Sequence, residues 1–399
     1  MTTQIRCGFL PLLDAAILIA AREKGFTEAQ NIDLSLVRET SWANVRDRLA
    51  VGHFDAAHIL APMPLAANLG LTAIGQKLIV PMALGLGGNA ITVSNKLYAQ
   101  LREPDIGDPA EAGQRLAALI AEPDAPKLRF AVVHPFSAHN FELRYWLGAS
   151  GISPDRDVDI VVLPPTLVPD ALSAQSIDGY CVGEPWNTLA VRAGMGRILT
   201  TKNAIWASSP EKVLAVPEAL LDDNPDVIAS LVCALTASAH WCSDRANAEA
   251  LAEMMAKPDY LDKPEADIRA ALLGPAGYEP FARAATFPWQ SHALWLYSQM
   301  VRWGMAEHSA VNSHAAMQTY RPDLYRAALA NVDVAVPAAN AKVEGALASP
   351  DQVGAHTRGA PGALLMGPDG FFDGLSFDPD QLDRYLAAYE GTAGKVPQN

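Results

Sequence analysis

The feature of this sequence that most constrains its fold is an alternation of short apolar strands with helices, which occurs twice. In the first 90 residues, the strand-like segments 5–10, "IDLSLVRET", "FDAAHIL" and "LTAIGQ" (71–76) are interleaved with helical patterns. The same alternation returns from "LRFAVV" at residues 128–133. Because alternating strands and helices form sheets covered on both faces, the sequence predicts an α/β fold with mainly parallel sheets.

Two segments indicate where the chain crosses between two lobes. The segment "AITVSN", near residue 90, leads out of the first unit, and "KVLAV" at 212–216 is typical of a strand that returns to it. Residues 1–90 with 205–330 are therefore predicted to form lobe 1, and residues 91–204 to form lobe 2. This arrangement predicts a type II periplasmic-binding-protein-like clamshell, with a ligand between the lobes.

The C-terminal half is predicted to be helical and to end in an extended tail. Helices are predicted at 224–242, 246–256, 264–273 and 289–303. The tail, residues 331–399, is rich in Ala, Gly, Pro and Val as far as residue 376. Its last helix, near 379–389, has apolar residues at i, i+3, i+4 and i+7 and needs a surface to bury them: Leu382, Tyr385, Leu386 and Tyr389.

Composition and motifs exclude several classes of protein. A net charge of −14 disfavours direct nucleic-acid binding. Asp14 interrupts the apolar N-terminal stretch and is predicted to cap the first helix, so we expect neither a signal peptide nor a twin-arginine leader here. These features predict a cytoplasmic protein without a membrane span. The cysteines and histidines are scattered without metal-ligand spacing, and the sequence contains no nucleophile–base motif. We therefore expect no bound metal, no cofactor and no enzymatic activity.

Two predicted helix starts offer groups that can bind an anion. Ser41 precedes a helix whose first residue is Trp42, although this tryptophan can instead pack on the apolar face of its own helix. Ser137 is predicted to cap the helix that contains His139, where free amides and the helix dipole favour an anion. A solvated surface histidine is the alternative for His139.

Three further side chains are candidates near the predicted crossings. Lys212, between a turn and a strand, either lies in solvent or gives the cleft a full positive charge. Asn89, in "GGNAIT", offers an amide where two glycines permit close approach of the backbone. Glu184, in "GEPWN", is either a hinge carboxylate behind the ligand contacts or a residue of a turn.

Several of these segments together resemble the nitrate-binding and bicarbonate-binding proteins of cyanobacterial ABC transporters. The resemblance covers roughly residues 4–330 and lies in "SWANVRDRL", "DAAHILAPMPL", "HNFELRYWL", "DGYCVGEPWN", "SPEKVLAV" and "FPWQSHALWLYSQMVRWG". Those proteins carry a leader and a linker that this sequence lacks. The C-terminal segments "NVDVAVPAANAKVEGAL" and "GPDGFFDG" resemble NasS-type cytoplasmic nitrate/nitrite sensors instead.

The resemblance implies a ligand set as well as a function. The family holds nitrate with a tryptophan at a helix start, a glutamine at the first crossing, a histidine and a lysine, which correspond here to Trp42, Asn89, His139 and Lys212. Asn89 departs from the family's glutamine and is one methylene shorter. Lys212 favours nitrate or nitrite, because bicarbonate-binding members carry an acidic residue there and use a metal.

The resemblance further implies a partner for the sensor. A ligand-free NasS-type protein holds a NasT-type RNA-binding antiterminator of the response-regulator class, and nitrate or nitrite releases it. We expect the partner to bind along the lobe edges or on the 331–399 tail. The alternatives are a solute-binding protein of an ABC transporter for nitrate, bicarbonate or sulfonate, and an enzyme of pyrimidine synthesis that shares the fold but uses a cysteine-rich segment.

Overall fold

Two five-stranded sheets organise the computed structural model, which describes residues 2–73, 75–347, 366 and 368–389. The first sheet has the strand order β2-β1-β3-β10-β4 and the second β7-β6-β8-β5-β9. We call the surroundings of the first sheet lobe 1 and those of the second lobe 2. The strands are β1 (Thr3–Phe9), β2 (Ile32–Arg38), β3 (Ala56–Leu60), β4 (Leu78–Ala83), β5 (Asn89–Ser94), β6 (Leu128–Val132), β7 (Val158–Val162), β8 (Gly179–Gly183), β9 (Gly196–Thr201) and β10 (Lys212–Pro217).

Each sheet combines parallel and antiparallel pairs, so the predicted α/β fold is confirmed but its sheets are mixed. β1 pairs in parallel with β2 and β3, whereas β10 lies antiparallel between β3 and β4. In lobe 2, β6 is parallel to β7 and β8, whereas β5 is antiparallel to β8 and β9. The antiparallel strands β5 and β10 are the first strands after each crossing, where no long crossover helix intervenes to make the pairing parallel.

Helices cover both sheets and form most of the C-terminal half. They are α1 (Ala16–Glu23), α2 (Trp42–Ala50), α3 (Pro62–Asn68), α4 (Asn95–Gln100), α5 (Pro109–Ile120), α6 (Ala138–Ala149), α7 (Val168–Ser173), α8 (Trp186–Arg192), α9 (Lys202–Ile205), α10 (Glu218–Asp223), α11 (Pro225–Ser243), α12 (Ala248–Ala256), α13 (Glu265–Leu272), α14 (Gln290–Arg302), α15 (Ala310–Thr319), α16 (Pro322–Ala328) and α17 (Leu382–Ala387). The four helices predicted from residue 224 onward are confirmed as α11 to α14. Helix α11 begins at Pro225, a position whose N–H has no partner within a helix, so the missing N–H of proline loses no hydrogen bond.

Two local predictions for lobe 1 are wrong. Residues 71–76 form no strand where the structure describes them, and the edge strand β4 follows instead at 78–83. It contains Pro81, which is tolerated because an edge strand needs only one set of ladder hydrogen bonds. Asp14 does not cap α1, since Ala15 holds the N-cap position without a side-chain bond. The Asp14 carboxylate is buried and turned toward other partners.

The described part of the tail packs on the body of the protein. Phe371 forms a β-bridge with Trp206 at the second crossing, and their rings stack with centroids 4.8 Å apart. Tyr145, on α6, hydrogen-bonds Asp373 through its hydroxyl at 2.8 Å. Helix α17 packs on α14 and buries the predicted Leu382, Leu386 and Tyr389, with Tyr385 partly buried. Residues 348–365, 367 and 390–399 of the predicted tail lie outside the described residues.

Candidate anion-binding site

Two of the predicted helix starts have the local structure that the sequence indicates. The Ser41 hydroxyl accepts a hydrogen bond from the Asn44 N–H at 3.2 Å, so α2 begins at Trp42. The Ser137 hydroxyl accepts one from the Asn140 N–H at 3.1 Å, which places His139 in the first turn of α6. Both Trp42 and His139 are buried, so His139 is not the solvated histidine of the alternative interpretation.

Lys212 lies at the centre of the lobe 1 side of the site, and it is fully buried rather than exposed to solvent. Its ammonium group donates to Asp14 Oδ2 at 2.9 Å and to Glu211 Oε1 at 2.6 Å, and it lies 5.2 Å from the Trp42 ring centroid. Asp14 Oδ1 also contacts His58 Nε2 at 2.8 Å. Lys212 is therefore not an isolated cation, because two carboxylates already share its charge.

Glu211 connects the two lobes through its carboxylate. Oε1 lies 3.2 Å from His139 Nδ1, and Oε2 accepts from Lys202 Nζ at 2.7 Å and from Asn89 Nδ2 at 2.5 Å. Lys202 belongs to α9 in lobe 2, whereas Glu211 immediately precedes β10 in lobe 1. One side chain thus ties the lobes together beside the predicted ligand residues.

Glu142 and Lys202 complete the lobe 2 side. Glu142 lies one helical turn after His139 on α6, and Glu142 Oε1 contacts Lys202 Nζ at 3.0 Å. The Ser209 hydroxyl donates to the same carboxylate at 2.5 Å. All three side chains are buried, so Glu142 and Lys202 pair without contact with solvent.

Asn89 opens β5 at the first crossing, as the sequence predicts for a residue between lobes. Its amide nitrogen is 3.4 Å from Glu142 Oε2 in addition to its contact with Glu211. The backbone just before it approaches other segments closely. Gly87 has φ +73°, and a Cβ there would lie 2.3 Å from the Gly277 carbonyl oxygen, so only glycine fits.

Glu184 stays outside the cluster but contacts both lobes through its backbone. Its N–H donates to the Gly88 carbonyl and its carbonyl accepts from the Leu13 N–H, both at 2.8 Å. Its carboxylate accepts from the N–H and the hydroxyl of Thr188, each at 3.0 Å, and so satisfies the start of α8. Burial raises the pKa of Glu184 to about 7. The carboxylate is thus used within lobe 2, and the choice between the hinge and the turn interpretation of Glu184 stays a prediction.

Several buried polar atoms in the cluster have no hydrogen-bond partner within the described residues. They are Trp42 Nε1, His58 Nδ1, Asn89 Oδ1, and both ring nitrogens of His139. The His139 Nδ1–Glu211 contact is close enough for an ion pair but is not aligned as a hydrogen bond. Because buried polar groups in native proteins are almost always paired, these atoms are candidates for contacts with a polar ligand. Trp42 Nε1 can only donate a hydrogen bond, and a neutral imidazole carries one N–H donor. A hydrogen-bond acceptor such as an oxyanion therefore suits the donors of Trp42 and His139.

Burial and neighbouring charges set the protonation states of the cluster. Burial lowers the pKa of His139 to about 3 and raises the pKa of Glu142. For Lys212, burial alone would lower the pKa, but the carboxylates of Asp14 and Glu211 outweigh it and raise the pKa above its usual value. Similarly, the ammonium groups of Lys202 and Lys212 overcome the effect of burial on Glu211 and hold its pKa low. The imidazole is thus neutral and Lys212 charged at neutral pH.

Sequence reasoning missed five charged or titratable members of the cluster: Asp14, His58, Glu142, Lys202 and Glu211. Two of them carried a usable signal, since Glu211 adjoins Lys212 and Glu142 lies at i+3 from His139 on one helix face. The other three come from separate segments, and only the fold brings them together.

Within the described ranges, no group of three or more His, Cys, Asp or Glu side chains is placed to hold a metal ion.

The two mixed sheets, the two short crossings and a polar cluster between the lobes define the class of periplasmic-binding-protein-like, two-lobe binding proteins. Residues 1–256 match the model of the NMT1-like family, and the chain belongs to this family.

Relatives of the chain include anion-binding and transport proteins. The nitrate/nitrite binding protein NrtA of Nostoc sp. is 30% identical in a gapped alignment of 410 positions, which covers 96% of this chain and 85% of that protein. The bicarbonate transport ATP-binding protein CmpC of Synechocystis sp. is 37% identical over 317 residues, or 75% of this chain and 46% of that protein. The crystal structure of the periplasmic nitrate-binding protein NrtA from Synechocystis has a TM-score of 0.82 at 27% identity and covers 98% of this chain and 99% of that one. By their names these relatives bind or transport solutes and are not enzymes of pyrimidine synthesis.

Proposed function

We propose that this protein binds nitrate or nitrite between its two lobes. The observation that carries the proposal is the set of unpartnered nitrogen atoms of Trp42 and His139 beside the buried ammonium group of Lys212. A small, weakly basic oxyanion accepts hydrogen bonds from such donors and gains from the nearby cation. The similarity to NrtA proteins over nearly the whole chain supports nitrate or nitrite as the anion.

Calorimetric titration with nitrate, nitrite and bicarbonate tests this proposal. We expect nitrate or nitrite to bind and Lys212→Met to weaken binding at least about a hundredfold, because it removes a buried charge from the site. Lys77→Met is the matched control, since Lys77 pairs with Glu218 on the surface. No binding of either nitrogen oxyanion to the wild-type chain, or equal affinity for wild type and Lys212→Met, would refute the proposal.

As its cellular role, we propose that the chain is a cytoplasmic sensor of the NasS type. In this account the ligand-free form holds a NasT-type antiterminator, and bound nitrate or nitrite releases it. The similarity of the C-terminal segments to such sensors supports the role. A ligand can release a partner only if the two prefer different lobe arrangements, so the partner is expected to bind the open form.

Size-exclusion chromatography of the chain with a NasT-type protein from the same organism tests the sensor role. A complex should elute without nitrate and should dissociate when nitrate or nitrite is added. The Lys212→Met variant, which is expected to lose the ligand, should keep the complex at the same nitrate concentration. Absence of a complex under both conditions would contradict the sensor role and leave anion binding as the function.

The second candidate is a solute-binding protein of an ABC transporter, and the full-length similarity to NrtA favours it. Cell fractionation separates the two roles, because a transporter subunit of this kind works outside the cytoplasmic membrane. Recovery of the native protein with periplasmic markers, together with slower nitrate uptake in a deletion strain, would establish transport. Recovery in the cytoplasmic fraction would favour the sensor.

A further inference from the structure

The cluster between the lobes contains no spare positive charge. It has three carboxyl groups (Asp14, Glu142 and Glu211), two ammonium groups (Lys202 and Lys212) and two imidazoles (His58 and His139). With both imidazoles neutral and all carboxyl groups ionised, the cluster carries one net negative charge. Protonation of one carboxyl group brings it to neutrality.

Both ammonium groups are already paired with carboxylates of this cluster. Lys202 Nζ contacts Glu142 at 3.0 Å, Glu211 at 2.7 Å and the Pro210 carbonyl at 2.8 Å. Lys212 Nζ is shared between Asp14 and Glu211 at 2.9 and 2.6 Å. An entering anion therefore finds cations whose charge is already compensated, and by itself it would leave a buried and uncompensated negative charge.

We propose that the protein binds its anion together with one proton, which an imidazole of the cluster, His139, takes up from solvent. In this step a hydronium ion or a buffer acid in solvent gives a proton to the ring nitrogen of His139 that carries no hydrogen, and the conjugate base stays in solvent. The added positive charge balances the incoming monoanion. One imidazolium N–H then faces Glu211 and the other is available to the anion. This inference rests on the proposed anion site and specifies how its charge is balanced.

The groups around His139 explain why the proton arrives only with the anion. Burial disfavours the charged imidazole, and the cations Lys202 and Lys212, from α9 and β10, oppose it as well. Glu211 at 3.2 Å and Asp14 favour the charged form, and Glu142 lies on the same helix. In this balance the pKa of His139 is lowered to about 3, and a further negative charge in contact with the ring raises it.

A consequence for specificity follows from the same charge count. One proton compensates one negative charge, so a monovalent oxyanion is matched by a single imidazolium. A divalent anion such as sulfate would need a second proton or would remain uncompensated. We therefore expect the site to select against divalent anions of similar size.

Calorimetric titration with sodium nitrate in buffers of different ionisation enthalpy measures the proton directly. We expect the apparent binding enthalpy to vary with the buffer and to report uptake of about one proton per nitrate. The affinity should fall about tenfold for each pH unit where uptake is complete, as linkage requires. Equal enthalpies in all buffers, with an affinity that is constant from about pH 6 to about pH 9, would overturn the inference.

Two variants and one control locate the proton. Glu211→Gln removes one negative charge, so nitrate should bind with less proton uptake and a flatter pH profile. His139→Gln should bind nitrate more weakly and without proton uptake. Glu218→Gln removes a surface carboxylate that pairs only with Lys77 among the ion pairs described, and should behave as wild type. Full proton uptake by His139→Gln would contradict the assignment to this imidazole.

The experiment separates the two proposals. Nitrate binding without proton uptake would refute the coupled proton and leave the anion site intact. Failure of the wild-type chain to bind nitrate or nitrite at any pH would refute the anion site and the coupled proton together.

Discussion

At the scale of single residues, the proposed site depends on Lys212, which is buried and paired with carboxylates that the sequence did not predict beside it. The sequence suggests a lone cation among neutral donors, whereas Lys212 shares its charge with Asp14 and Glu211. A buried charge without a partner is costly, and a site that must fold before ligand arrives needs internal counter-charges. The residues expected to bind the anion are therefore only part of a larger, charge-balanced cluster.

His139 is the residue whose removal isolates a single ligand contact. His139→Ala should weaken nitrate binding by about 1.5–3 kcal/mol, the usual range for a hydrogen bond to a charged group. Calorimetry measures the change, and His53→Ala, at an exposed position, serves as the control. Equal affinities for His139→Ala and the wild-type chain would show that this imidazole does not touch the ligand.

Glu184 should make the stability of the fold depend on pH. Burial raises its pKa from 4.5 to about 7, so the folded chain binds this proton more tightly than the unfolded chain. Its stabilising contribution is therefore complete below about pH 4.5 and is lost as the pH rises through about 7. Glu184→Gln, which stays neutral, should gain up to about 3 kcal/mol of unfolding free energy relative to wild type over this interval.

Urea denaturation of both proteins between about pH 4.5 and about pH 8.5 checks the Glu184 prediction. The difference between variant and wild type should grow with pH and level off above about pH 7. A difference that stays constant over this range would show that the carboxyl group keeps an ordinary pKa in the fold.

At the scale of elements, periodicity and capping predicted helices better than strands. Ser41, Ser137 and Pro225 mark helix starts through local chemistry, and the structure confirms all three. The strand error at 71–76 arose because an apolar run resembles a strand, while β4 contains a proline that reads as a strand breaker. Its place at the sheet edge, which makes the proline acceptable, depends on topology and is not visible in the sequence.

The tail differs most from its prediction, because the sequence indicates an extended segment whereas its described residues pack on the body of the protein. Its described residues form a second buried polar cluster, in which Lys342 pairs with Glu344 and with Asp369, and Ser291 of α14 donates to Glu344 at 2.6 Å. Asp373 reaches Tyr145 on α6, the helix that carries His139. The tail therefore supports the helix that carries His139.

Removal of one tail side chain should weaken both the fold and the site. Phe371 is buried between Trp206, Trp295 and Tyr145, so Phe371→Ala should cost about 3–5 kcal/mol of unfolding free energy. We expect weaker nitrate binding as well, because α6 loses packing at Tyr145. Val343→Ala, at a more exposed tail position, is the control for urea denaturation and calorimetry. A Phe371→Ala variant as stable as this control would contradict the packing role.

At the scale of the whole molecule, the lobes meet around the charged cluster. Under the proposed function, a ligand reaches this cluster only when the lobes part. Parting of the lobes would separate Glu211 from His139 and Lys202, which it contacts in this structure. An anion that restores these contacts favours closure by hinge motion. The alternation of strands and helices predicted this two-lobe plan, but the pairing of charges in the cluster depends on contacts between segments up to 198 residues apart.

The crystal structure of the chain grown with sodium nitrate tests the central claim most directly. The account predicts one nitrate between the lobes, within hydrogen-bond distance of Trp42 Nε1 and a ring nitrogen of His139, and near the Lys212 ammonium group. Nitrate bound only outside the interlobe cluster, with the Trp42 and His139 nitrogens still unpartnered, would contradict it.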